Sequence, residues 1–385
     1  MAASVFACLA HPACAPARRR HLLSSILIED VQVRISGFLR QFSDEIRKSS
    51  SGLVEVLSSW EKGEASYQEA MGLPIGLLPF RAPSVDRTWA AAASALHLTA
   101  AGRRGEWEAS FNRPISLRWG TFVTPALRRL VVSDGDTPRL RLFAANGFES
   151  SIDLFPTTSP EASAGWQALE EIDVINRSFV ILDPEDPLLF PLPMLEVRHS
   201  TQPPDLVART LRSAVSLIRD FAAEYAPWIE DVLWALFPVC PPNEQGYSSG
   251  SVKGLYGIIY ESFPVSPLHA AEGLIHEACH QYYHLAQLET LFANGQDTRL
   301  YWSPYPKQDR PIDRILLAFH AFANLVFFYR ACLAGGMPFE TERAKVEISF
   351  HIDNLQPFSE ALEHSPGLTA DGRALFEAIH ERLFG

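Results

Sequence analysis

Apolar and polar positions follow two different periods along this chain, and the places where the period changes divide it. From about His21 to Trp60 the apolar residues Leu22, Ile26, Ile28, Val31, Val33, Ile35, Phe38, Leu39, Phe42 and Ile46 recur at near-helical spacing among charged residues. That spacing predicts a long amphipathic helix. Ser49-Ser50-Ser51-Gly52 breaks it, and Leu53 to Glu64 resumes as a second helix before the Gly/Pro-punctuated Gly72 to Pro83. Trp89 to Ala100 is alanine-rich and helix-prone. After Gly102 the period shortens. Pro114 to Val123, Leu130 to Val132, Leu140 to Ala144 and Phe179 to Leu182 are brief Val/Phe/Leu-rich runs. Asp134-Gly135-Asp136, Asn146-Gly147 and prolines separate them, so they predict strands, with Leu127 to Phe143 as a hairpin. Four prolines between Asp183 and Pro193 argue against regular structure there.

Thr201-Gln202-Pro203-Pro204-Asp205 resembles a linker entering a helix, with Asp205 as the expected N-cap. Apolar residues at 207, 211, 214, 215, 218, 221 and 222 predict a helix over Leu206 to Tyr225. Pro227 starts a shorter helix, Pro238 to Ser251 reads as a loop, and Val252 to Ser262 as a strand. Ser266-Pro267 opens a helix expected to reach about Leu291. A loop over Pro304 to Pro311 follows, then a very apolar helix from Ile312 to Leu333 stopped by Gly335-Gly336, and closing helices over Glu340 to Leu355 and Ala370 to Leu383. The expected class is α+β, predominantly α-helical. Residues 1–200 form an N-terminal lobe of helices with a small β-sheet, a possible peptide-binding lobe, and residues 201–385 form a mainly helical lobe.

Composition narrows the setting. At 385 residues, 47% hydrophobic and 20% charged, the chain is long enough for two cores. A net charge of −12 with no basic stripe excludes a nucleic-acid binder. The apolar start precedes Arg18-Arg19-Arg20 instead of following a basic segment, which is not the order of an export signal. The acid-free first 28 residues weakly resemble a transit peptide, and a solvated arm is the preferred reading. No run reaches the ~18 apolar residues of a membrane span, so no membrane association is expected. Five cysteines without framework spacing suit a reducing compartment, and the expected location is the cytoplasm. The pattern leaves the oligomeric state open.

The candidate chemistry sits on the helix after Ser266. His276-Glu277-Ala278-Cys279-His280 is HExxH. Positions i and i+4 stack on one helix face, so His276 and His280 can offer nitrogens to one ion, while Glu277, about 100° away, reaches the ion's open side. His284 lies one turn further; i to i+8 spans about 12 Å, too far for three histidines to share an ion on a straight helix. A third ligand therefore comes from elsewhere. His320 is the preferred candidate, because an imidazole inside so apolar a helix is buried and needs a partner; Glu289, Asp313 and His351 are the alternatives. The metzincin pattern fails, with Tyr283 and Ala286 where Gly and His are required. A glutamate ligand on the next helix is also missing, since no glutamate occurs between Glu289 and Glu340. Tyr301 to Arg314 carries aromatics with Arg310 and Arg314 four apart at a helix start, which predicts a clamp for an anion such as a carboxylate.

These pieces together resemble a known family, the HExxH-containing peptide-modification proteins found with ribosomally made, post-translationally modified peptides and described as iron- and 2-oxoglutarate-dependent peptide β-hydroxylases. The resemblance rests on Gly273-Leu274-Ile275-His276-Glu277-Ala278-Cys279-His280, on Tyr301-x-Ser303-Pro304, on Asp309-Arg310-Pro311 and on the apolar helix with His320 that ends in Phe327-Phe328-Tyr329-Arg330. It covers about residues 245 to 335. It implies Fe(II) on His276 and His280, 2-oxoglutarate and O2 as cosubstrates, and Arg310, Arg314, Tyr301 and Ser303 around the 2-oxoglutarate. A precursor peptide is the implied substrate, hydroxylated at Cβ of a side chain. Glu277 is a ligand, a supporting group or a base, and the supporting role is favoured because neighbours at i and i+1 do not share a helix face. The alternative is a zinc-dependent peptidase with Glu277 as general base.

Overall fold

The structure is a computed structural model that describes residues 5–63, 65–70, 87–101, 103–119, 122–134, 139–153, 167–182, 198–241, 246–251 and 253–385. Gly72–Pro83, Asp183–Pro193 and the Gly135-Asp136 turn lie outside the described residues. The fold is α+β and predominantly α-helical, and it divides into two compact units. One comprises 27–171 and 180–199; the other comprises 1–26, 172–179 and 200–385. The sequence expectation of a single cut near 200 therefore differs from the structure at 1–26 and 172–179, which belong with the HExxH unit.

In the first of these units the helices are α1 (Pro16–Arg47, from Leu27 onward), α2 (Leu53–Lys62), α3 (Tyr67–Ala70) and α4 (Arg87–Ala100). Gly52 ends the break before α2 with φ +74°, and a Cβ there would fall 2.1 Å from the carbonyl oxygen of Glu106, so only glycine fits. Strands β1 (Ser50–Ser51), β2 (Trp107–Ile115), β5 (Leu127–Ser133), β6 (Arg139–Ala144) and β7 (Glu149–Asp153) form one antiparallel sheet in the order β1-β2-β5-β6-β7. The short β3 (Arg118–Trp119), β4 (Phe122–Val123) and β8 (Gln167–Ala168) form another. Alternation decides the faces: Trp107, Ala109, Leu130, Val132, Leu140 and Leu142 are buried. On the outer side Arg129 pairs with Glu108 and Arg141 with Glu149.

The HExxH unit contains α5 (Pro204–Phe221), α6 (Tyr225–Val232), α7 (Pro267–Ala286), α8 (Ile312–Ala334), α9 (Thr341–His364) and α10 (Ala370–Phe384). Its strands include β11 (Ala235–Val239), β12 (Ser249–Ser251), β13 (Ile258–Ser262) and the hairpin β14 (Tyr301–Ser303) with β15 (Gln308–Arg310); β9 (Glu171–Asp173) and β10 (Ser178–Ile181) flank the turn at 174–177. β13 pairs parallel with β11, Ala235 opposite Ile258, and antiparallel with β12. α7 is the hub: it packs against α5, α6, α8, β12 and β13. Ser266 caps it by accepting from His269 N–H at 3.3 Å, and Pro267 occupies the first turn. Three side chains tie it to its surroundings. Gln281 accepts from Gly257 N–H and donates to the carbonyls of Leu255 and Ile258; Tyr282 donates to the Trp228 carbonyl and Tyr283 to that of Asp313.

α8 is apolar enough by length and composition to cross a membrane, yet 83% of its most apolar window is buried inside the fold, so it serves as a core helix. The N-terminal segment locks onto this core. Asn324 donates to the Ala10 carbonyl at 2.9 Å, and Arg19, fully buried, donates to Asp231 at 3.1 Å and to the Pro12 carbonyl at 2.8 Å while lying over the Trp228 ring. In the 174–177 turn the N–H groups of Ile175, Asn176 and Arg177 all donate to Glu230 Oε1.

Several local expectations change. Asp205 is not the cap of α5: Pro203 holds that position, and Asp205 sits in the first turn paired with Arg209. Of the expected strand at Val252–Ser262, residues 253–257 are a turn ahead of β13 in which Gly254 and Gly257 take positive φ, and the expected loop at Pro238–Ser251 includes β12. Pro304–Pro311 contains β15 of a hairpin, and α7 ends at Ala286 instead of Leu291.

The Arg19–Asp231 pair generates a prediction. Replacing Asp231 by Ala leaves a buried guanidinium without its counter-charge, which costs about 3–5 kcal/mol. Urea denaturation followed by tryptophan fluorescence measures it; a change under 1 kcal/mol sinks the assignment.

Candidate metal centre

His276 and His280 project from one face of α7 with ring centroids 4.5 Å apart, both keeping some exposure toward a cavity. Glu277 is buried beside them. Ser249 Oγ donates to its Oε1 at 2.7 Å, and Oε2 lies 3.3 Å from His280 Nδ1 without a hydrogen bond. Among the described residues these three bring their ligand atoms within 4.8 Å of one another. Burial, with His280 adjacent, pushes the His276 imidazole down to about 3, so it is neutral with a free lone pair near pH 7. Burial works against ionisation of Glu277 as well, but His280, His276 and the Ser249 hydroxyl outweigh it and hold that carboxyl at about 2. Two imidazoles and an ionised carboxylate oxygen lacking a partner fit a divalent first-row ion such as Fe(II) or Zn(II).

The cavity has a volume of about 610 Å3. One wall is α7, with Gly273, His276 and His280; a second is Tyr247, Ser248 and Ser249; a third is the hairpin, with Ser303, Tyr305 and Arg310; and α8 closes it with Arg314, Leu317, Ala318, Phe322 and Leu325. Tyr305 stacks on Phe322 at 3.4 Å. Two arginines therefore line the space that the histidines face. Burial and the neighbouring Arg314 lower the Arg310 pKa, and among the described residues no carboxylate pairs with Arg310. The Ser303 hydroxyl is fully buried and has no hydrogen-bond partner. An electron-rich oxyanion is the ligand chemistry that guanidiniums and a hydroxyl donor suit.

Behind the site lies a pair that the sequence reading missed. Glu261 on β13 is completely buried; Tyr247 Oη donates to its Oε1 at 3.2 Å while Oε2 has no partner, and burial raises its pKa well above the ordinary range. A Cβ at position 273 would sit 2.1 Å from Tyr247 Oη and 2.8 Å from Glu261 Oε1, so the glycine before the motif makes room for this pair. Serines and tyrosines in a Gly-containing loop gave no periodic signal; the glycine inside a helical run was the only clue.

Two expected site residues lie elsewhere. His320 is not in the cluster. Ala318, Phe322 and Leu325 occupy the cavity face of α8, and a residue two positions from Ala318 points about 200° round the helix. His320 is fully buried on that other face, near the Leu9–Ala10 backbone and the Trp228 ring, and burial pushes it down to about 3. Tyr301 is not among the residues lining the cavity: its hydroxyl donates to Asp297 at 2.6 Å, in a network with Arg299 and Ser365. His284 is buried with its ring 6.3 Å from that of His280, outside the ligand group. Of the alternatives, His351 comes near. Its Nδ1 is 2.9 Å from Tyr305 Oη, and its ring lies 5.3 Å from that of Phe322.

No protein-family model matches this chain, and no curated protein matches it.

Two predictions follow from burial. His11, His284 and His351 are held down to about 4 and His276 and His320 to about 3, mainly by desolvation. Below the unfolded value near 6.5 the unfolded chain binds protons that the folded, metal-free protein refuses, so stability present above pH 6.5 is lost as pH falls toward 4. His320→Gln removes one such site and flattens that limb by up to about 1.4 kcal/mol per pH unit in urea melts. Gly273→Ala overpacks the Tyr247–Glu261 pair and destabilises by about 1–3 kcal/mol; an unchanged melting profile contradicts the close approach.

Proposed function

We propose that this chain is a non-haem Fe(II)- and 2-oxoglutarate-dependent oxygenase that hydroxylates a side chain of a ribosomally made peptide during its maturation. One observation carries the reading: the cavity faced by His276 and His280 is also lined by Arg310, Arg314 and the unpartnered buried hydroxyl of Ser303. A dicarboxylate cosubstrate needs a metal at one end and a cationic, hydrogen-bonding clamp at the other. The resemblance of the HExxH, Ser303-Pro304 and Arg310-Pro311 segments to peptide β-hydroxylases supports the same reading.

In this proposal His276 and His280 hold the iron, which supplies oxygen activation when bound. Glu277 has one oxygen fixed by Ser249, so its other oxygen faces the histidines as a ligand or an acceptor of a proton from a metal-side water. Arg310 and Arg314 neutralise the distal carboxylate of 2-oxoglutarate while Ser303 donates to it. Leu317, Phe322, Leu325 and the Tyr305 ring form an apolar wall that excludes water and seats the methylene groups of cosubstrate and substrate. The precursor peptide is the partner. The cytoplasm is the proposed setting, in keeping with an odd number of cysteines without framework spacing.

A zinc peptidase is the second reading, favoured by the ionised Glu277 beside the two histidines; the arginines would then grip the C-terminal carboxylate of the peptide being cut. Turnover separates the two. Anaerobically iron-loaded protein, exposed to O2, is expected to consume 2-oxoglutarate and add 16 Da to a precursor peptide encoded beside it. Peptide cleavage by the zinc form with no 2-oxoglutarate consumption by the iron form overturns the oxygenase. Arg310→Ala is expected to keep its metal and raise the KM for 2-oxoglutarate about 10- to 100-fold, the weight of one charge-assisted contact. The His276→Ala, His280→Ala double variant is expected to lose one equivalent of metal.

A further inference from the structure

Along α7 the ionisable residues do not stop at the HExxH pair. Glu272 lies one turn before His276, about 6 Å along the same helix face. There it meets α9, where Glu347 and His351 are themselves one turn apart. The ligand atoms of Glu272, Glu347 and His351 all fall within 4.8 Å of one another. His351 is 3% exposed, and its Nε2 has no hydrogen-bond partner although it points toward Glu347 Oε2, 3.9 Å away. That separation is too long for a hydrogen bond and suits two atoms bound to the same ion. The other ring nitrogen is already engaged, since Nδ1 and Tyr305 Oη are 2.9 Å apart. With the Nδ1 proton donated to Tyr305, Nε2 carries a free lone pair, the arrangement by which metal-binding histidines are oriented.

Charge points the same way. Three carboxylates, Glu272, Glu340 and Glu347, surround one guanidinium: Arg343 is 2.9 Å from Glu272, 2.9 Å from Glu340 and 3.8 Å from Glu347. One cation faces three acids in a partly desolvated pocket.

We infer that Glu272, Glu347 and His351 form a second binding site for a divalent first-row transition ion, distinct from the His276–Glu277–His280 centre and joining α7 to α9. The mixed nitrogen and carboxylate donors select an ion such as Zn2+, Mn2+ or Fe2+ over Ca2+. Arg343 stays in place as a clamp on the outer oxygens of Glu272 and Glu340. The inference does not rest on the oxygenase reading, because it concerns an ion that ties two helices together and requires no turnover.

Zn2+ stoichiometry tests it, read by native mass spectrometry and by titration of the metal-free full chain. The wild type is expected to bind two equivalents, the His276→Ala, His280→Ala variant one, and that variant with Glu347→Gln added none. His351→Gln alone is expected to bind one equivalent and to lose the part of the zinc-induced rise in melting temperature that survives in the His276→Ala, His280→Ala variant. Tyr305→Phe, which keeps every ligand, weakens the second equivalent about 10- to 100-fold. Because Glu347 is partly exposed, its variant folds even where a His351 variant does not. One equivalent in the wild type, with none left in His276→Ala, His280→Ala, removes the second site and leaves the first intact. Two equivalents in the wild type that persist in Glu347→Gln and His351→Gln also overturn the assignment. One equivalent that survives in His276→Ala, His280→Ala and disappears in Glu347→Gln sustains the second site and instead removes the HExxH centre.

Discussion

Desolvation of α7 is the constraint on which this architecture turns. The helix is buried on nearly every side, yet His269, Glu272, His276, Glu277, His280, Gln281 and His284 all lie on it. Each polar group withdrawn from water has to find a partner or bear a penalty of order 1–3 kcal/mol. The surrounding elements are placed to supply those partners. Gln281 closes the turn ahead of β13, Ser249 on β12 meets Glu277, and Arg343 on α9 meets Glu272. Partners run out at Glu277 Oε2 beside the cavity, at Glu261 Oε2 behind it and at Nε2 of His351 in the acidic cluster, and also away from the cavity at His284 and His320. Unpaired polar atoms in a well-packed core are rare.

Much of this was legible from residue order. HExxH survives as a constellation because a helix fixes i and i+4 regardless of what packs around it. The amphipathic helices were readable for the same reason, as in α5, whose apolar stripe is buried. Reading failed where periodicity carries no phase. α8 is apolar all round, so its sequence does not say which way His320 points, and the imidazole proved to face the Leu9–Ala10 segment instead of the cavity. β11 is buried on both faces and reads as an apolar run lacking the two-residue alternation that betrays an exposed strand. The resemblance put Tyr301 at the 2-oxoglutarate, whereas Asp297, four residues earlier, takes its hydroxyl. The Glu272–Glu347–His351 grouping joins residues 79 apart in number, which no local pattern encodes.

The two arginines and the two histidines illustrate how one cavity can combine opposite demands. A neutral His276 requires a site dry enough to suppress protonation, whereas guanidiniums tolerate desolvation because their charge is delocalised and cannot be given up. The arginines line the cavity from the hairpin and the first turn of α8, and the histidines line it from the buried hub.

The way the HExxH unit is threaded has a kinetic meaning. Arg19 meets Asp231 across 212 positions of chain, and Ala10 meets Asn324 across 314. Closing such loops costs entropy that no neighbouring helix can offset in advance, so contacts of this span form late and slowly compared with the turns of α7 or α8. Until they close, the underside of α8 with His320 and Asn324 lacks its cover. The last step in building this core is thus the docking of the Ala10–Arg19 segment against α6 and α8.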